Sequence, residues 1–115
     1  MIDTAQIDEL IAKGRRVLVD KDLPASSCFW IPGTKNVAWL QAAKSYKGEG
    51  MFRLNVSVSR EGSSLMHSHY YSNDMTEQEM RKYLAGDEDA AEIRGSILEL
   101  SEHVDDKEGE FPSGY

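Results

Sequence analysis

Between Phe52 and Ser59 the chain alternates, with Phe52, Leu54, Val56 and Val58 apolar and Arg53, Asn55, Ser57 and Ser59 polar or charged. A period of two marks a strand with one buried and one wet face. After Glu61-Gly62-Ser63 the chain resumes with an aromatic run over 65–71, so 52–71 reads as a β-hairpin. Register decides what the second strand displays. A three-residue connection puts Met66 and Tyr70 with Leu54, Val56 and Val58, and leaves His67, His69 and Tyr71 outside with Asn55 and Ser57. A connection of two or four residues buries both imidazoles instead. Two unpartnered imidazoles in a core cost about 1–3 kcal/mol each, so the three-residue form is expected.

Helical spacing governs both ends of the chain. Ile7, Leu10 and Ile11 predict a short helix over 4–13, with Asp3 or Thr4 as N-cap and Gly14 as C-cap. Thr76 and Glu79 form a capping box, Met75 and Met80 its hydrophobic staple, and the helix they open runs through Tyr83 and Leu84 to Gly86. Asp87-Glu88-Asp89 restarts a helix with acids where the macrodipole favours them. Its apolar stripe is Ala90, Ile93, Ile97, Leu100 and Val104, with Glu92, Glu99, Glu102 and Asp106 on other faces. Gly95 in mid-helix costs about 1 kcal/mol against alanine, which predicts a closely packed backbone beside it. Residues 105–115, with Gly109, Pro112 and Gly114, read as an acidic frayed tail, leaving 1–104 as one globular domain.

The segment before the hairpin is less regular. Residues 16–20 predict a brief strand and 28–31 a second, closed by Pro32-Gly33 in the central positions of a type II turn. Over 36–47 a helical step links Val37, Leu40, Ala43 and Tyr46 between Asn36 and Gly48, which predicts a helix, with a meander strand as the alternative. Together these elements make an α+β fold. A small, mostly antiparallel sheet centres on the 52–71 hairpin, and an N-terminal helix and two C-terminal helices pack on one face. The expected core is Leu54, Val56, Val58, Met66, Tyr83, Ile93, Ile97 and Leu100.

Composition narrows the class. In 115 residues, 40% are hydrophobic and 29% charged, as in an ordinary single globular domain. No apolar run approaches the ~20 residues of a spanning helix. The first residues lack the pattern of a secretory signal, and Cys28 alone cannot form an internal disulfide, so a cytoplasmic location is expected. Charge is sorted along the chain. Residues 1–72 carry nine Lys or Arg against seven Asp or Glu, whereas 73–115 carry four against thirteen. A net charge of -7 disfavours nucleic acid and anionic membrane as partners.

Candidate chemistry is sparse. His67 and His69 stand two apart on a strand, which puts two imidazoles on one face, with Asp74 and His103 as the nearest possible additions. Gly62, His67, His69 and Asp74 resemble the first motif of the cupins over a short stretch. The cupin spacing and its glutamate are not matched, and the capping box opens a helix where a cupin continues in strands, so no function is carried over. Cys28 lies in an apolar run and reads as a small buried hydrophobe. No serine sits in a Gly-x-Ser-x-Gly elbow, and Gly48-Glu49-Gly50 carries a carboxylate where a phosphate loop needs a lysine. Trp30 and Trp39 read as core aromatics, while Tyr71 with His67, His69, Arg53 and Asn55 forms a possible recognition patch.

The sequence therefore predicts a non-catalytic domain without a cofactor. Its acidic C-terminal surface, with Glu88, Asp89, Glu92, Glu99, Glu102, Asp106 and Tyr71 as contacts, would engage a basic protein partner. By physical type, that describes an immunity protein or antitoxin blocking a nuclease-like toxin. A metal-binding protein or metal-dependent enzyme using His67 and His69 is the first alternative. A homo-oligomer packing around Gly95 is the second.

Overall fold

The structure, a computed structural model, describes residues 3–110, with side chains described through residue 106. The elements are α1 (Thr4–Val19), β1 (Ala25–Trp30), β2 (Asn36–Lys44), β3 (Met51–Arg60), β4 (His67–Tyr71), β5 (Met75–Thr76), α2 (Glu77–Ala85) and α3 (Ala90–Glu110). Every strand pairing is antiparallel, in the order β1-β2-β3-β4, and β5 follows β4 along the same edge of β3. The fold is α+β, as the sequence predicts.

The sheet's inner face is written in alternate residues. Ala38, Leu40 and Ala42 of β2 stand opposite Val58, Val56 and Leu54 of β3, and all six are fully buried. Ile7, Ile11 and Leu18 of α1, Met80, Tyr83 and Leu84 of α2, and Ile93, Ile97, Leu100 and Val104 of α3 close over them in one core. Seven of the eight expected core residues lie there. Met66 does not; it is 44% exposed in the loop before β4.

Helix α1 runs past Gly14 to Val19, where a C-cap and a separate strand were expected. The glycine serves packing rather than termination. A Cβ there would lie 3.0 Å from Leu40 Cδ1 and 3.1 Å from Ser27 Oγ, and Ser27 donates a hydrogen bond to the Gly14 carbonyl at 3.1 Å. The extra turn places Arg15 in the interior, at 2% exposure. Its guanidinium donates to the carbonyls of Tyr83 at 2.6 Å and Glu88 at 2.8 Å and stacks on the Tyr83 ring at 4.8 Å. A cation at the C-terminal carbonyls of α2 is favourably placed, so α1 is tied to the α2–α3 junction.

Residues 36–44 form a strand, not the expected helix. β2 is flanked on both sides, so Val37, Trp39 and Ala43 keep apolar side chains on the outer face and hide the alternation. Cys28 and Trp30 also depart from expectation, since both point outward from β1, Trp30 at 56% exposure. Trp39 is half-buried on the outer face and donates to Ser59 Oγ at 3.1 Å. The Pro32-Gly33 turn is as expected, with Gly33 at φ 79° and Thr34 N–H donating to the Ile31 carbonyl.

The capping box at Thr76 and Glu79 is formed, and Gly86 caps the end of α2. Helix α3 continues to Glu110, through the first part of the expected tail, while 111–115 fall outside the described residues. Asp105 accepts from Arg60 at 2.8 Å and from Asn36 at 3.0 Å, fixing this part of α3 to the ends of β2 and β3. Gly95 is exposed and a Cβ there would meet nothing within 4 Å, so among the described residues no backbone packs against it, contrary to expectation.

Candidate functional site

Among the described residues the strands contain no Asp or Glu; the acids of the C-terminal third lie at Asp74 in the β4–β5 loop, on α2, at the α2–α3 junction and on α3. On α3, Glu92, Glu99 and Asp106 recur every seventh residue and so fall in one line along the helix, with Glu102 beside it. Glu88, Glu92, Glu99, Glu102 and Asp106 are all exposed. At the junction a cleft of about 600 Å³ is lined by Asp74, Glu79, Asp87, Glu88 and Asp89, with Lys82 as the cation among its lining residues. Among the described residues the acids of this surface pair with Lys or Arg only at Glu77 with Arg81 and Asp105 with Arg60, and Glu99 lies 3.9 Å from His69.

Asp89 differs from its neighbours. It sits half-buried at φ 65° and accepts hydrogen bonds on one oxygen from Tyr70 at 2.6 Å and Tyr83 at 2.9 Å, the two hydroxyls lying 3.2 Å apart. Burial, then the bond to Asp89, pushes the Tyr70 phenol up to about 12. Tyr83 is raised as well, first by burial and then by Tyr70 and Asp89. Both phenols are therefore held protonated and donating, and Asp89 works as a fastener between β4, α2 and α3. At the edge of the same cleft, the Thr76 backbone N–H and then its hydroxyl hold the Glu79 carboxyl below its usual range.

The histidines lie elsewhere. The connection from β3 to β4 spans residues 61–66, longer than the three-residue link expected, and a bulge interrupts the β3–β4 ladder between Val56 and Ser57. His67 therefore pairs with Val58 and Tyr70 with Val56, so both face the helices, and His69 is the extra residue between them. The expected outward pair is corrected on this point. His67 is half-buried against α3, its ring centroid 5.1 Å from that of His103 at an interplanar angle of 77°, and His69 Nδ1 lies 3.9 Å from Glu99 Oε2. Met66, Ser68 and Leu100 complete a cleft of about 450 Å³. Asp74 lines the acidic cleft and is not among the residues of this one.

Tyr71 faces outward, as expected, and is separated from the histidines and from the acids of α3. Arg53 lies between two tyrosines, 4.8 Å from the Tyr71 ring and 5.0 Å from Tyr46. Around it the outer face is polar and paired, with Asn55 donating to Gln41 at 2.9 Å and Ser57 bonded to Ser68 at 2.8 Å.

Sequence reasoning left His103 unplaced and missed Arg15. His103 carried a signal, since Glu99 and His103 stand four apart on one helix face. Arg15 had none once the helix was ended at Gly14. Comparison of the chain with models of protein families, with curated proteins and with solved structures finds no match. Among the described residues, no helix is long and apolar enough to cross a membrane.

Proposed function

We propose that this chain is a non-catalytic protein-binding domain whose acidic α2–α3 surface engages a basic protein partner in the cytoplasm. The observation that carries this reading is the sorting of charge by layer: among the described residues carboxylates are absent from the strands and collect at the α2–α3 junction and along α3. Asp74, Asp87, Glu88, Glu92, Glu102 and Asp106 have no ion pair among the described residues. Like charges placed this way cost some stability through self-repulsion, and in return they raise the encounter rate with an oppositely charged surface. A basic nucleic-acid-binding groove is the surface such a face complements best, which is why an immunity protein or antitoxin against a nuclease-like toxin is the physical type it matches.

The test is affinity capture from native lysate with wild type and with the fourfold variant Glu88→Lys, Glu92→Lys, Glu102→Lys, Asp106→Lys as baits. All four positions are exposed, so the variant is expected to fold. Wild type should retain a protein of basic isoelectric point that the variant loses, and added salt should slow their association. Identical captures by both baits, or association indifferent to salt, would contradict the proposal.

A further inference from the structure

The chain has three histidines, and the fold brings all of them to one place. His67 and His69 come from the edge strand β4, and His103 comes from α3. Two features make the convergence. The bulge turns His69 toward the helix side beside Glu99, and the one-turn spacing of Glu99 and His103 aims both at β4.

Packing does not account for the cluster. Among the described residues no side-chain hydrogen bond fixes any of the three imidazoles, although other polar groups nearby, such as Ser57 with Ser68, are paired. The His67–His103 edge-to-face contact, 5.1 Å between centroids, brings imidazoles from two distant segments together in the lining of an open cleft.

We infer that this cleft binds a divalent transition-metal ion of the borderline class, with Zn²⁺ as its representative. Imidazole nitrogens and one carboxylate are the donors such ions prefer, whereas Mg²⁺ and Ca²⁺ require oxygen-rich cages. His67 and His103, whose rings are already in contact, form the first pair of donors. His69 and Glu99, with side chains 51% and 70% exposed, are free to turn and complete the coordination with water. Among the described residues no three donors already converge on one point, so binding draws these two side chains inward. The ion would bridge β4 to α3 and clamp the free edge of the sheet onto the helix layer.

The experiment uses the full chain without a histidine tag. Zn²⁺ is titrated by calorimetry, with Mg²⁺ as control, while the imidazole resonances of the three histidines are followed by NMR. One ion per chain is expected, with His67 and His103 resonances shifting together and no heat from Mg²⁺. His67→Ala and His103→Ala should each weaken binding about tenfold or more, and Glu99→Gln by less. Circular dichroism of each variant checks that the fold is kept, and His69→Ala, at an exposed position, gives a further readout if one of them fails. No Zn²⁺ heat and no resonance change would overturn the inference. So would binding that His103→Ala leaves intact, or one ion shared between two chains.

Discussion

On the helix-covered face of the sheet, Leu40, Leu54, Val56 and Val58 are sealed from solvent and touch all three helices' apolar stripes. The opposite face carries Trp39, Gln41, Arg53 and Asn55, half-buried in cross-strand pairs and stacks, with Tyr71 exposed beside them. Both faces are ordered by specific contacts, yet the apolar core lies on only one of them. Stability resides on the covered face, and the groups able to meet a partner lie on the open sheet face and on the outer side of the helices. Charge then separates these two surfaces, because among the described residues carboxylates occur on the helices and in loops and on none of the strands.

Substitutions sharpen this contrast in order of size. Leu54→Ala, at a site with no exposure, should cost about 2–5 kcal/mol in chemical denaturation, from lost burial and an unfilled cavity. Alkaline titration should come next. Tyr70 sits at about 12 in the folded protein against 10.0 for the free phenol, so its contribution is complete below pH 10 and is lost as the pH rises from 10 toward 12. The melting temperature should fall over that interval. Tyr70→Phe should lower it at neutral pH, by about 1 kcal/mol of stability, and flatten the alkaline fall. Trp30→Ser, on the open face, should change stability by less than about 0.5 kcal/mol. A larger loss would mean that the outer face carries more of the fold than burial indicates.

Adjacent strands β2 and β3 explain what was legible in the sequence. β3 alternates apolar with polar residues, and its pattern was plain. β2 lies between two strands and has small or apolar residues on both faces, so Val37, Leu40 and Ala43 matched a helical step although Ala38, Leu40 and Ala42 line one strand face. The capping box was readable because its whole mechanism is local. Gly14 and Gly95 show the reverse. One is a contact site and the other is open, and only the tertiary approach of Leu40 and Ser27 distinguishes them. The acids of α3 could be placed from helical periodicity alone. The histidine cleft could not, because it depends on a bulge in β4 and on a helix more than thirty residues away.

The most direct measurement is amide chemical-shift mapping of the isotope-labelled chain against the basic protein it captures. Perturbations should follow the line from Glu88 through Glu92, Glu99 and Glu102 to Asp106 and spare the open sheet face. A footprint centred on Trp30, Tyr46, Arg53 and Tyr71 would contradict the account.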